Sequence, residues 1–248
     1  MRPQNYKVSH FDEIDSTNTQ LAAAARAGAL DGTVYWADFQ SAGRGRLDRV
    51  WEAPPGSCLM ASVLLREPGV AEERLHGVTS VVALSLLQAL EELDIAGVSM
   101  KWPNDLVVGE RKLAGVLAEL VEAPPHTTVV VGFGVNVTYA GPDEAKATSL
   151  EQISGRAMDR AGLLDAMLTR LAENRLLMRD DEGWVQLTRL VEANCSTIGQ
   201  EVSVEMGDQQ VVGIACGLSP HGHLLVENDD GVVELATGDL TRVRATGA

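Results

Sequence analysis

The spacing of hydrophobic positions changes near residue 195 of this chain. Before that point, short apolar runs typical of strands alternate with segments whose apolar residues recur every three or four positions, as in amphipathic helices. From Gly199 onward, only short apolar runs separated by turn residues remain. Many short strands in so short a segment are typical of a small barrel. The pattern therefore predicts two domains, over residues 1–198 and 199–248.

The larger domain is predicted to be α+β, a mixed sheet with helices packed on one face. Thr17 is predicted as the N-cap of the first helix, with Gln20 as its capping-box partner and Gly28 closing that helix. Its strands are predicted at 8–11, 33–38, 58–65, 106–108, 113–121 and 129–137, and its helices at 21–27, 75–93, 160–178 and 183–193. The strands of the smaller domain are predicted at 202–205, 211–216, 224–227, 232–235 and 240–244.

Composition narrows the class of protein. The 248 residues include 20 Lys+Arg and 35 Asp+Glu, a net charge of −15, which repels nucleic-acid phosphates and argues against a DNA-binding role. The three cysteines show no CxxC spacing and the five histidines no metal spacing, so neither a disulfide framework nor a zinc site is expected. Because no long apolar run or signal-like segment is present, we expect a soluble cytoplasmic protein without membrane contact.

One polar loop, residues 40–51, concentrates positive charge in this acidic chain. Arg44, Arg46 and Arg49 lie close together between glycines, and Trp51 follows them. Arginine forks bind phosphate and carboxylate oxygens, and a glycine-rich loop can approach an anion closely. Trp51 would supply a flat wall for a planar base. The alternative is a solvated loop whose arginines pair with surface acids.

A second polar segment, residues 101–105 and 111–115, contains two of the four lysines of the chain, Lys101 and Lys112. Asn104 and Asp105 favour a turn at the end of a strand, where sites form. An ammonium group can neutralise phosphate charge that develops during transfer. The alternative is a hairpin with ordinary charges at its rim.

A third segment, residues 132–136, has the pattern GxGxN. It indicates either a close approach of the backbone to a ligand, with Asn136 reading a polar edge, or a bulge in a crowded sheet. The pattern is not the GxGxxG dinucleotide fingerprint, and no P-loop or GxSxG motif is present.

Taken together, the motifs resemble the biotin protein ligase family. The motifs that carry the resemblance are 16–18 (STN), 43–46 (GRGR), 101–105 (KWPND), 112–115 (KLAG), 132–136 (GFGVN) and 148–150 (TSL), with 195–199, 213–217, 222–227 and 238–240 in the tail. The resemblance implies a class II synthetase-like catalytic domain followed by an SH3-like barrel. It also implies an enzyme that activates biotin with ATP and Mg²⁺ as biotinyl-5′-AMP. The biotin is then transferred to a lysine of a biotin carboxyl carrier protein domain, and members are often homodimers.

The resemblance also implies roles for individual residues. The residues implied to bind biotin are Ser16, Thr17, Asn18, Gln40, Gly43, Arg44, Lys101 and Gly115. The residues implied to bind ATP and the adenylate are Arg44, Arg46, Arg49, Trp51, Lys112 and Asn136. Arg46, Lys112 and Lys101 are the implied catalytic residues, and Asp105 is a candidate both for binding the metal and for deprotonating the acceptor lysine.

The sequence departs from the family pattern at two places. Members often have glycine two positions after the GRGR run, where this chain has Leu47 and Asp48. Repressor-type members carry a DNA-binding domain before the catalytic pattern, which begins here at Ser16, so we expect a monofunctional enzyme. Two alternatives stay open at this point: lipoate or octanoate ligation on the same fold, and a non-catalytic sensor of biotin.

Overall fold

A computed structural model describes residues 5–47, 49–66, 74–122, 128–141, 146–206, 209–236 and 239–242. Asp48 lies outside the described residues, as do the first residue of the 238–240 motif and residues 243–244 of the last predicted strand. The helices are α1 (Thr17–Arg26), α2 (Leu75–Glu92), α3 (Leu150–Ser154), α4 (Arg160–Leu177) and α5 (Asp181–Ala193). The first seven strands are β1 (Lys7–Ile14), β2 (Thr33–Gln40), β3 (Cys58–Arg66), β4 (Val98–Lys101), β5 (Asp105–Val108), β6 (Arg111–Val121) and β7 (Thr128–Asn136).

These seven strands form one mixed sheet in the order β1-β2-β3-β7-β6-β5-β4. β1 and β2 are parallel, and every other neighbouring pair is antiparallel. β5 and β6 form the hairpin that the sequence predicts at 106–121. β3 is buried along nearly its whole length, because protein covers both faces of the sheet there.

The two faces of the sheet are covered differently. On one face, side chains of α2, α4 and α5 pack with Val63 and Val131 into the main core. On the other face, Leu21 and Ala25 of α1 pack against Leu64 and Val130, which alternate along their strands with the residues of the main core. The α+β class is thus confirmed, while α1 lies on the face opposite to the one that the prediction gave to all helices.

The last five strands form a separate antiparallel sheet. They are β8 (Glu201–Met206), β9 (Gln209–Leu218), β10 (Leu224–Asn228), β11 (Gly231–Leu235) and β12 (Asp239–Arg242), in the order β11-β10-β9-β8-β12. The turn between β9 and β10 contacts the larger sheet, since the Trp102 indole N–H donates to the Gly222 carbonyl at 3.3 Å. The predicted domain boundary at 198/199 falls between α5 and β8 and stays a prediction.

Local differences from the prediction have clear causes. Ser16, not Thr17, is the N-cap of α1, because its hydroxyl accepts from the Thr19 N–H. The Gln20 amide donates to Asp15, so no capping box forms. β4 and α3 were not predicted, since each is only a single short segment. Among the described helices, each is too short or too polar to traverse a bilayer.

Candidate functional site

A cavity of about 450 Å³ opens on the α1 side of the large sheet. This volume is within the range of small-molecule sites. The predicted site residues that line it are Ser16, Thr17, Asn18, Gln40, Arg44, Arg46, Arg49, Trp51, Lys101, Asp105, Lys112, Gly115 and Asn136. Gly43 is not in the lining, and a Cβ placed on it would lie 2.3 Å from the Trp51 carbonyl oxygen. The structure therefore brings the arginine-rich loop and the lysine-bearing segment to one place.

The register of the sheet explains this convergence. Met60, Gly134, Gly115, Asp105 and Lys101 lie directly opposite one another across five neighbouring strands. Directly opposed residues in antiparallel strands point to the same face and are near neighbours. The row runs from an apolar side chain through two glycines to a carboxylate and an ammonium. It gives the cavity an apolar end and a charged end.

The two glycines of the 132–136 motif make room for side chains rather than for a bulge. A Cβ on Gly132 would lie 2.3 Å from the Asn18 amide oxygen, and one on Gly134 would lie 2.7 Å from the Trp51 indole ring. Both glycines belong to regular pairing of β7 with its neighbours. The crowding thus comes from two residues of the cavity wall, and the motif shapes the site indirectly.

A buried hydrogen-bond network forms the floor of the cavity near the start of α1. The Thr17 N–H and hydroxyl both donate to the Gln40 side-chain oxygen, at 2.7 and 3.0 Å. Ser62, fully buried on β3, lies 2.7 Å from the Thr17 hydroxyl and 2.6 Å from the Asn18 amide oxygen. Within the described parts of the chain, the N–H₂ group of Gln40 donates only to the Met60 sulfur, at 3.4 Å. Buried polar networks of this kind fix side-chain orientation.

The arginine-rich loop folds back on itself beside this floor. The Trp51 N–H donates to the Gly43 carbonyl, and the Gly45 N–H donates to the Arg49 carbonyl. The Arg44 guanidinium reaches β6, where it pairs with both carboxylate oxygens of Glu119 at 2.8 and 3.1 Å. The loop is therefore held to the sheet by an ion pair as well as by its own backbone.

The arginine and lysine side chains of the charged end have different partners. Arg46 donates to the Asn104 side-chain oxygen at 3.2 Å. The Lys112 ammonium lies 2.6 Å from Asp105 and 5.8 Å from the centre of the Trp51 ring, a cation–π contact. Lys101 makes no ion pair or side-chain hydrogen bond with any residue in the described parts of the chain. Its ammonium is the cation of the row, and none of the described residues neutralises it.

Asn136 is oriented by the protein itself. Its amide N–H group donates to the Thr148 carbonyl at 3.0 Å, and its oxygen accepts from the Cys58 thiol at 3.7 Å. Burial raises the pKa of that thiol, so it stays protonated and able to donate. This arrangement joins β7 to the Thr148 segment. Direct recognition of adenine by the Asn136 amide stays a prediction.

Asp105 fits a magnesium ion that arrives with a nucleotide. Mg²⁺ is commonly held by one or two carboxylates together with substrate phosphates and waters. Lys112 engages one oxygen of Asp105, so the carboxylate can offer its second oxygen to an ion. Magnesium binding by Asp105 stays a prediction. Elsewhere, His10, Asp12 and Asp38 lie close enough together for a cation, but none of them lines the cavity.

A histidine cluster lies near the charged end, between α2 and the turn preceding β10. The ring centroids of His76 and His223 are 5.4 Å apart, and those of His221 and His223 are 5.9 Å apart. Burial lowers the pKa of His76, and the charges of His223 and Arg46 lower it further. The neutral imidazole is therefore the form that the fold favours at position 76.

Sequence reasoning missed Ser62, Glu119 and Asn104. Ser62 is a hydroxyl within the otherwise apolar run of β3, and Glu119 is an acid within the apolar run of β6. For Ser62, a lone polar residue in a strand buried along nearly its whole length was the available signal. Asn104 lies in the 101–105 motif, but its contact with Arg46 depends on the three-dimensional fold.

Comparison with known proteins assigns both parts of the chain. Residues 10–136 match the model of the biotin/lipoate A/B protein ligase family, and residues 197–240 match the biotin protein ligase C-terminal domain. The first match covers the large sheet and the cavity, and the second covers the small sheet.

Similar proteins align over most of the chain. A biotin–[acetyl-CoA-carboxylase] ligase of Mycobacterium tuberculosis is 36% identical over 239 residues, covering 94% of this chain and 87% of that protein. The bifunctional ligase/repressor BirA of Bacillus subtilis is 31% identical, covering 93% of this chain and 72% of that protein. The structure of a biotin protein ligase from Aquifex aeolicus in complex with biotin and ATP superposes with a TM-score of 0.83 at 32% identity, covering 96% of this chain and 99% of that one.

Proposed function

Because the chain belongs to the biotin/lipoate A/B protein ligase family, we propose that its cavity carries out two successive reactions. In the first, the carboxylate of biotin attacks the α-phosphorus of ATP, and pyrophosphate leaves. In the second, a lysine amine of a biotin carboxyl carrier protein domain attacks the acyl carbon of biotinyl-5′-AMP, and AMP leaves as the amine loses its proton. The chain is thus an ATP-dependent biotin ligase, as its relatives are named.

The convergence of Lys101, Lys112 and Arg46 in one cavity carries this proposal. The first reaction brings a carboxylate against a polyanion, so their repulsion must be cancelled by fixed positive charge. Lys101 needs no rearrangement for this task, because no described residue neutralises its ammonium. We place Lys101 beside the acyl-phosphate linkage and Lys112 and Arg46 near the phosphates.

The biotin ring is proposed to lie at the apolar end, over the floor at the start of α1. Ser16, Thr17 and Gln40 present polar groups there, and Met60 provides apolar surface. Because the N–H₂ group of Gln40 has only a sulfur atom as acceptor among the described residues, a ring carbonyl would supply it with a stronger acceptor. Gly115, in the row between Gly134 and Asp105, would leave room for the chain that leads to the carboxylate.

Adenine is proposed to stack on Trp51, whose ring is fixed between Gly134 and the Lys112 ammonium. Arg44 and Arg49 lie on the same loop, which shields the adenylate from water when it is formed. Mg²⁺, bound by Asp105 together with the phosphates, would neutralise charge on the leaving pyrophosphate.

The second match distinguishes biotin from lipoate as the substrate. Residues 197–240 have the form of a biotin protein ligase C-terminal domain. The test is isotope exchange between ATP and pyrophosphate, which we expect to depend on biotin and not on lipoate or octanoate. Exchange supported by lipoate alone would refute the assignment, and labelling of a purified carrier domain tests the second reaction.

We propose that the enzyme acts in the cytoplasm, does not bind DNA, and forms a homodimer. A net charge of −15 supports the absence of DNA binding. A gel-shift assay tests DNA binding, and light scattering with and without biotin and ATP tests dimerisation.

A further inference from the structure

Glu119 occupies a central position between two parts of the site that are distant in sequence. It lies on β6, on the same face as Leu117 and Gly115, both of which line the cavity. Its carboxylate accepts two hydrogen bonds from Arg44 of the loop and one, at 2.8 Å, from the Asn18 amide of α1. No role follows for Glu119 from the sequence motifs or from the proposed chemistry.

We infer that Glu119 is a positioning residue that links the arginine-rich loop to the biotin end of the cavity. The inference rests on the proposed function for its effect on biotin, but the link itself is a property of the fold. The same carboxylate oxygen, Oε2, accepts from both Arg44 and Asn18. Movement of the loop therefore shifts the acceptor that Asn18 uses. Movement of Asn18 likewise shifts the acceptor that Arg44 of the loop uses.

The Asn18 amide connects Glu119 to the floor of the cavity. Its N–H₂ group donates to Glu119 and to the Leu117 carbonyl, and its oxygen accepts from Ser62. Ser62 in turn contacts Thr17, which donates to Gln40. Because Asn18 is buried and all its polar groups are engaged, it cannot reorient without leaving one of them unpaired.

The ion pair with Glu119 also gives Arg44 a task other than contact with the substrates. Its guanidinium bonds both carboxylate oxygens of Glu119, so its orientation is set before any substrate binds. Two parallel hydrogen bonds fix orientation as well as distance. Arg44 thus holds the loop over the cavity, and the phosphates are left to Arg46, Lys112 and Lys101.

The test compares Glu119→Gln with a matched control, Glu92→Gln. The control removes the same charge from another Glu–Arg pair, in which Arg170 lies 3.1 Å from Glu92, outside the cavity. Hydrogen–deuterium exchange of the ligand-free protein follows the amides of residues 43–51, including Gly45 and Trp51. Loss of one charge-assisted hydrogen bond at a partly exposed site should speed their exchange about three- to tenfold. The control should leave that exchange unchanged.

Biotin kinetics give the second measurement. Glu119→Gln should raise the KM for biotin about three- to tenfold in pyrophosphate exchange, with kcat changed less than about twofold. If Glu119 acts through Arg44, the double variant with Arg44→Met should show no larger effect than Arg44→Met alone. Thermal melting of all variants separates this coupling from general loss of stability.

The outcomes are distinct. Unchanged exchange of residues 43–51 in Glu119→Gln overturns the inference, as does an equal increase of exchange over the whole chain with a matching fall in Tm. Additive effects of Glu119→Gln and Arg44→Met also overturn it. Faster loop exchange in a protein that shows no biotin-dependent activity would leave the link standing and refute the proposed function instead.

Discussion

Removal of the Ser62 hydroxyl is the most direct test of the cavity floor. Ser62 is fully buried, and its hydroxyl lies 2.6 Å from the Asn18 amide oxygen and 2.7 Å from the Thr17 hydroxyl. In Ser62→Ala, the buried Asn18 oxygen loses its donor. An unsatisfied buried acceptor costs about 1–3 kcal/mol of folding free energy. For a chain of this length, this corresponds to a fall in Tm of roughly 2–12 °C.

The same substitution should weaken biotin binding. Without the Ser62 contact, Thr17 and Asn18 lose one of the groups that orient them. If about 1 kcal/mol of the lost interaction is felt by the ligand, the KM for biotin rises about fivefold. Pyrophosphate exchange at varied biotin measures this change, and the KM for ATP should change much less.

Ser85→Ala is the matched control. Ser85 is equally buried, in α2, and its hydroxyl donates to the Val81 carbonyl and accepts from the Asn174 amide. It lies on the other side of the sheet from the cavity, so its removal should lower Tm by a similar amount without changing the KM for biotin. An unchanged KM for biotin in both variants would refute the role assigned to the floor.

Three other predictions concern the charged end and the pH dependence of stability. Lys112→Ala should slow adenylate formation far more than transfer from supplied biotinyl-5′-AMP, and equal slowing of both would remove Lys112 as the phosphate stabiliser. Gly134→Ala places a Cβ 2.7 Å from the Trp51 ring and should raise the KM for ATP more than the KM for biotin. Exchange kinetics in which the KM for biotin rises more would contradict this prediction. The pKa of His76 is lowered from 6.5, so the unfolded chain binds more protons near that pH; stability is full above about pH 6.5 and falls at lower pH. Melting curves should show a shallower fall for His76→Gln, and identical pH profiles would be evidence against this cause.

Local pattern predicted most of the fold because the elements are long or strongly apolar. The three- and four-residue spacing of α2 and α4 and the apolar runs of β3 and β7 mark them directly. β4 has only four residues, and its pairing with β5 rather than its own composition makes it a strand. Segments of that length carry too few positions for periodicity to be read.

Most of the predicted site residues line one cavity, but the contacts between them were not predictable from the sequence. Sequence motifs identify which residues gather, yet the row from Met60 to Lys101 depends on the register of five strands, which no local pattern contains. The same holds for the partner of each cation. That Arg44 pairs with Glu119 and Lys112 with Asp105 follows from neighbouring strands and loops, not from spacing along the chain.

The two ion pairs of the cavity have different consequences for the proposed reactions. Among the residues described, the Glu119 carboxylate is hydrogen-bonded only to Arg44 of the loop and Asn18 of α1, so its pairing with Arg44 can persist through both reactions. Asp105, by contrast, lies directly opposite Lys101 in the row, and its oxygen is held by Lys112. If phosphates draw Lys112 away, that oxygen would become free beside the proposed position of the acyl-phosphate linkage. The acceptor lysine, whose pKa is normally near 10.4, would then meet a carboxylate able to take its proton, which is the role that we propose for Asp105. The contact that neutralises Lys112 before ATP binds would thus provide the base for transfer once the adenylate has formed.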